Sequence, residues 1–333
     1  MIGTDMRKDQ GAALVIVLAM LSVLSMIAVV TVESSLMGVR RTQNISVMTQ
    51  ARWYAMGAEA FAAARIQELR ARQQSEPVDQ SDWQGRPFVF PLDDGAMTVS
   101  IHDGSNCFNL NSLVGIDENG LMAANTLAQF HFARLLDLVD VRSERTAWLV
   151  VALTDWIDPD DIAGAGGAED NVYAAAETPY RVANAPLGDV GELSSVRGFT
   201  PEAIAALAPY VCARAASTPN LLNPNSLRPE QAALLSMAIG PELSKTQAET
   251  LIRGRPRGGW RDLDAFFAEP ALTRIEVSAA ARSAFSLVSD DYLIHTVVRH
   301  KDVTESAVSL IDAAQGGKVV RRVLGVGDRL LLL

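Results

Sequence analysis

Hydrophobic and polar positions divide the chain into an apolar start, a helical stripe, a helical middle and a strand-rich end. Ala12 to Val32 contains no charged residue. A helix of that length is about 31 Å long at 1.5 Å per residue, enough to cross the hydrocarbon core of a bilayer. Helix-forming composition continues without proline as far as Gln74, so one helix is expected over 12–75, with 12–32 inside the membrane. In its second half Ala55, Ala58, Ala62, Ile66 and Leu69 recur at spacings of three and four and form one apolar stripe. Small residues dominate that stripe, so its partner is either another helix or a closely packed sheet.

Beyond this helix, Glu76 to Asp94 reads as a loop rich in Pro, Asp and Gln, closing in a turn at Asp93-Asp94-Gly95. Ala96 to Ile101 alternates with period two and predicts a half-buried strand, with His102 at the surface where it ends. Strand patterns return at Tyr292–Val298, Glu305–Ile311 and Lys318–Val326. The stretch between these β zones is helical and contains an internal echo. Asn109-Leu110-Asn111-Ser112-Leu113 returns as Asn223-Pro224-Asn225-Ser226-Leu227. Helical patterns at Met122–Leu138 and Arg145–Ile157 follow the first copy, and Pro229–Ile239 and Ser244–Arg253 follow the second. Asn and Ser suit helix N-caps, because their side-chain oxygens accept unpaired first-turn amides. Between the copies, Thr200 caps a helix opened by Pro201, just after a turn at Gly198. The expected fold class is α+β: an antiparallel sheet from 76–104 and 281–333, interrupted by two helical modules at 105–217 and 218–280. The ends of such an insertion lie close together in space.

Net charge is −10 over 333 residues and the pI is about 5.0, which disfavours a nucleic-acid partner. Cys107 and Cys212 are the only cysteines. In an oxidising compartment two such distant thiols point to one structural disulfide; the alternative is two buried free thiols.

Candidate chemistry concentrates between Asp155 and Asp170. Asp155, Asp158, Asp160, Asp161, Glu169 and Asp170 fall there with no Lys, Arg or His among them, and Gly164, Gly166 and Gly167 let the chain fold back. Carboxylates brought together repel unless a cation neutralises them, and irregular all-oxygen ligation suits Ca²⁺ better than Mg²⁺. Asp158, Asp160, Asp161, Glu169 and Asp170, completed by backbone carbonyls, are the expected calcium ligands. The spacing is not an EF-hand, since Ile162 stands where a third ligand belongs. A catalytic use of these acids lacks a neighbouring histidine, and no G-x-S-x-G, H-E-x-x-H, P-loop or Cys-x-x-Cys occurs, so the chain reads as a non-enzyme. The alternative function is a membrane-anchored periplasmic DNA-binding protein. Val196-Arg197-Gly198 resembles a helix-hairpin-helix turn, although Thr200 replaces its second glycine. Arg253, Arg255, Arg257 and Arg261 form one basic cluster.

Two resemblances sharpen the picture. Arg7-Lys8-Asp9-Gln10-Gly11 before the apolar run resembles a type IV prepilin leader over 1–11, which implies peptidase cleavage between Gly11 and Ala12. Phe108-Asn109-Leu110-Asn111-Ser112-Leu113, Asp155-Trp156-Ile157-Asp158 and Gly167-Ala168-Glu169-Asp170 then carry a resemblance to the minor pseudopilin K family of type II secretion systems. Tyr173, Pro179-Tyr180, Asn184, Pro186-Leu187 and Glu192-Leu193 belong to the same pattern. That resemblance implies a pilin-like α+β domain, two SAM-like modules in the insertion, and calcium held there. It also implies prepilin-peptidase processing and a single-pass inner-membrane anchor with the bulk of the chain in the periplasm. The implied partners are minor pseudopilins I and J at the tip of a pseudopilus, then other pseudopilins. Pilin-like assemblies usually carry glutamate at the fifth mature position; counted from Ala12, that position is Ile16.

Overall fold

The structure, a computed structural model, describes residues 6–76, 83–116, 120, 122–141 and 146–325, with side chains from Ala13 onward. Helix α1 spans Met6–Ser75, 70 residues and about 105 Å. It therefore begins before the expected residue 12 and runs through Gly11. Leu14, Ile16, Leu18, Leu21 and the other large apolar side chains up to Val32 are exposed, without partners from this chain. Farther along, Ala51, Ala55, Ala58, Ala62, Ile66 and Leu69 are all buried.

Their partner is a sheet. Five antiparallel strands, β1 (Pro87–Leu92), β2 (Gly95–Asp103), β7 (Asp291–His300), β8 (Val303–Asp312) and β9 (Lys318–Leu324), lie in that order. Ala58, Ala62, Ile66 and Leu69 meet Val99, Ile101, Tyr292, Ile294 and Ile311 in one apolar layer. Alanine along the stripe lets the helix backbone approach the sheet closely. Glu59 shares this buried face, accepts from Ser309 Oγ at 2.5 Å and pairs with Arg322 of β9. A buried carboxylate is tolerated when charged and polar partners replace its water, so this pair holds the edge strand against the helix.

Strand β1 corrects the loop expected over 76–94. Pro87 and Pro91 mask the strand pattern in the sequence, but β1 is the outermost strand, where a missing amide interrupts no ladder bond to a further neighbour. His102 is also corrected: it lies inside β2, half-buried, with Nε2 3.2 Å from Ser100 Oγ. Burial first, then the charge of Arg228 and neighbouring His295, lower its pKa to about 4. Val326, at the end of the last expected strand, and Arg145, at the start of an expected helix, lie outside the described residues.

The helical block interrupts the chain between adjacent strands β2 and β7, and its two ends meet where Gly104 N donates to Asp291 O at 2.9 Å. It contains two short ladders: β3 (Phe108–Asn109) parallel to β6 (Val211–Cys212), and β4 (Val114–Ile116) antiparallel to β5 (Met122–Ala124). Its helices are α2 (Thr126–Leu138), α3 (Thr146–Ile157), α4 (Asp170–Tyr173), α5 (Pro201–Leu207), α6 (Ala232–Ile239), α7 (Lys245–Arg253), α8 (Leu263–Phe267) and α9 (Ala279–Ser283). Residues 122–124, expected to be helical, form β5 instead, and α2 starts after Asn125, whose side chain caps it by accepting from Ala128 N. One continuous apolar core joins both modules, with Phe108, Phe132, Leu153, Leu235 and Phe266 among its members.

The sequence echo is a structural one. Each copy opens on a residue paired in parallel with the end of its own module, Phe108 with Val211 and Leu222 with Phe285. The second module thus runs to Phe285, past the boundary expected at 280, because α9 and Phe285 pack in the helical core. In each copy the second asparagine brackets a distant backbone. Asn111 donates to Leu187 O and accepts from Leu187 N, and Asn225 does the same to Trp260. At the junction with the sheet, Cys107 and Cys212 form a disulfide with Cα atoms 5.8 Å apart. Beside it Arg214 pairs with Asp291 at 2.7 Å.

Candidate metal centre

The acidic loop is built on helix α3. Asp155 sits in the last turn of α3, buried, and its carboxylate accepts from Gly164 N at 3.2 Å and Ala168 N at 2.8 Å. These bonds fold residues 164–168 back onto the helix. Burial raises the pKa of Asp155, the two amides lower it, and Asp160 raises it again. The glycines serve close packing as well as turning. A Cβ on Gly167 would stand 1.8 Å from Asp155 Oδ2, whereas one on Gly166 (φ +84°) would meet nothing nearer than 3.6 Å. Gly167→Ala is therefore expected to push Asp155 off its amides and to cost about 2–4 kcal/mol of folding stability in chemical denaturation. Gly166→Ala carries only the left-handed backbone penalty of about 1–2 kcal/mol.

Past this fold-back, Asp158, Asp160 and Glu169 converge, with one carboxylate oxygen of each within 4.8 Å of the others. Glu169 is 5% exposed and neither of its oxygens has a hydrogen-bond partner; Asp158 Oδ1 is likewise buried and unpartnered. Burial first, then neighbouring carboxylates, push Asp158 and Glu169 up to about 7. Asp160 accepts from Ile162 N at 2.8 Å, which turns the loop toward Glu169.

Two expected ligands fall outside that group. Asp161 Oδ1 accepts from Asn184 Nδ2 at 3.0 Å, and Asp170 Oδ1 accepts from Val182 N at 3.0 Å. Asp170 opens α4, and its Oδ1 ties the following loop down. In its place the structure brings Asn184, which also donates to Asp160 O at 2.9 Å and leaves a buried, unpartnered Oδ1. Asn184 holds a positive φ of 43°, which asparagine tolerates better than most residues. Its place in the sequence pattern around Tyr173 and Pro186 was the available signal; its chemistry alone was not.

Orphaned buried oxygens, raised carboxylate pKa values and an all-oxygen donor set fit a hard divalent cation. Asp158, Asp160 and Glu169 would hold it, with Asn184 Oδ1 beside them. A bound cation would neutralise the carboxylates and tie the two ends of the loop between α3 and α4 together.

The other expected positions lie far from this centre. Gly11 and Ala12 are inside the backbone of α1, and Ile16 is 60% exposed on its apolar part. Of the basic cluster, Arg253 pairs with Glu249, Arg261 with Asp262, and Arg255 donates to Pro224 O and Leu227 O.

Two family models, both described as type II secretion system protein K, match residues 106–216 and 222–287, together just over half of the chain. The chain belongs to the type II secretion system protein K family. A member from Pectobacterium carotovorum is 32% identical over 96% of this chain and 97% of its own length. One from Klebsiella pneumoniae is 34% identical over 86% of this chain and 87% of its own. A solved chain from the GspK-GspI-GspJ complex of the type 2 secretion system of enterotoxigenic Escherichia coli is 28% identical. It superposes with a TM-score of 0.73, covering 86% of this chain and 99% of that one. Among the described residues one helix is long and apolar enough to cross a membrane, and in a member of this family it is a single-pass anchor.

Proposed function

We propose that this chain is a minor pseudopilin at the tip of a type II secretion pseudopilus. It assembles with pseudopilins I and J, starts or caps the fibre, and so supports protein secretion across the outer membrane. The observation that carries this reading is the match along nearly the whole of a chain solved within the GspK-GspI-GspJ complex. Three features of this chain support it. The basic leader ends at Gly11, so a prepilin peptidase of the inner membrane would release Ala12 as the mature N-terminus and leave the bulk in the periplasm. Ile16 offers no carboxylate to the terminal amine of a subunit stacked above, and in an apolar helix bundle an unpaired amine is costly. The helical block fills space that a shaft subunit leaves free for its neighbours. The role is structural and not catalytic, with calcium bracing the block.

Three linked results are expected. The detergent-extracted wild-type chain co-purifies with pseudopilins I and J, and Gly11→Leu leaves the precursor uncut and abolishes secretion. Ile16→Glu leaves secretion close to wild type. Normal processing of Gly11→Leu, no complex with I and J, or recovery of this chain along the pseudopilus shaft overturns the reading.

A further inference from the structure

A second cleft of about 250 Å³ opens beside the acidic loop, lined by Trp148, Leu149, Ala152, Gly166, Arg197 and Gly198. Its walls are fixed from three sides. Trp148, Leu149 and Ala152 belong to α3, Gly166 to the fold-back held by Asp155, and Arg197-Gly198 to the turn before α5. That turn is pinned, since Arg197 N donates to the Tyr173 hydroxyl at 3.3 Å and a Cβ on Gly198 would touch Leu149 Cδ2 at 3.0 Å.

What the cleft presents is unusual for a surface that only faces water. Trp148 is 60% exposed, and its indole lies over Gly166, with Nε1 3.6 Å from where a Cβ would be. Neither the indole N–H nor the exposed Arg197 guanidinium has a hydrogen-bond or ion-pair partner among the described residues. The donors are thus one cation and one N–H, set beside an apolar floor of Leu149 and Ala152. Arginine recognises carboxylates by charge-assisted, two-pronged bonding, and tryptophan and arginine are the side chains that most often dominate interfaces. In a chain of net charge −10, an unneutralised arginine in a preformed cleft selects for an acidic ligand. The volume admits one or two side chains and not a folded domain.

We propose that this cleft docks an extended segment of a partner protein through an Asp or Glu side chain followed by an aromatic or large aliphatic one. The carboxylate meets Arg197 and the Trp148 indole N–H; the apolar neighbour lies on the indole face and Leu149. The site is separate from the cation site: it shares the backbone of the fold-back and none of the carboxylates.

The test uses the full chain in detergent, labelled with 5-fluorotryptophan, whose five tryptophan signals are read by fluorine NMR. Trp148→Phe assigns the signal of interest. The probe is the capped peptide acetyl-Gly-Glu-Phe-Gly-amide, titrated to millimolar concentration with and without added calcium. A saturable shift of the Trp148 signal in either condition is expected. The Gln-Phe analogue and the Arg197→Gln variant each bind at least about tenfold more weakly, as loss of a charge-assisted bond requires. The remaining tryptophan signals of Arg197→Gln stay in place, which shows the variant to be folded. No shift of Trp148, equal shifts with the Gln peptide, or a shift produced by DNA and not by the peptide overturns the proposal.

Discussion

Millimolar calcium is expected to raise the melting temperature of this protein, and chelation to lower it. Calcium modules of extracellular type bind at roughly 10⁻⁴–10⁻³ M. Ion at about 10 mM therefore stabilises the fold by about 1.4–2.7 kcal/mol, a shift of about 3–10 °C for a domain of this size. The sign follows from the site. Glu169 is buried with both oxygens unpartnered beside Asp158 and Asp160, so the ion-free fold bears their repulsion and the bound cation removes it. Glu169→Gln is accordingly expected to melt higher than wild type in chelator and to lose the calcium shift. A merely solvated acidic loop predicts no response in either protein. The pH dependence gives a second reading. Asp158 and Glu169 are raised to about 7, chiefly by burial, so the folded chain holds protons that the unfolded chain releases above about pH 4. Without calcium, their contribution to stability is full below about pH 4 and is lost as pH rises to about 7. With calcium the decline flattens, because the ligands bind the ion only when deprotonated. Melting curves across this pH range, with and without chelator, check both statements.

Asn111→Leu is expected to cost more stability than Gly167→Ala or Asn225→Leu. The side chain is 1% exposed, donates to Leu187 O and Arg214 O, and accepts from Leu187 N. Leucine fills similar space and satisfies none of these groups. Three backbone groups, two of them fully buried, are then unpaired, at about 1–3 kcal/mol each, for a total of about 3–9 kcal/mol. Asn225→Leu strands two groups of Trp260 and is expected to cost about 2–6 kcal/mol. Urea denaturation followed by tryptophan fluorescence measures both. Equal and small losses would mean that water replaces the brackets and that the echo is only a pair of helix caps.

The large features of the fold were legible from local pattern. The stripe Ala55, Ala58, Ala62, Ile66 and Leu69 is the buried face of α1, and the small size of its residues already admitted a sheet as partner. The insertion was legible because strand patterns flank a helical stretch, and the structure seats β2 beside β7 with the block between them. Strand β1 escaped because prolines erase the alternation on which strands are read, while the edge position that tolerates them is a property of the sheet. The surface placing of His102 failed for a related reason: the strand runs on to Asp103 under the helical block.

What the sequence by itself determined is what depends on residue chemistry and short-range period. It specifies a membrane-length apolar helix, a helical stripe, a twice-used Asn-x-Asn-Ser-Leu turn, and an acidic loop with no basic residue among its carboxylates. The tertiary structure alone decided which carboxylates face one another. Asp170 is drawn to Val182 N, and Asp161 to an asparagine 23 residues away, so the converging set is Asp158, Asp160 and Glu169 with Asn184 beside it. It also decided that Asn111 would bracket a backbone 76 residues distant. The reason is physical: where a loop's side chains point depends on the surface it is packed against. Here that surface is one face of α3, on which Gly167 lies too close for any side chain.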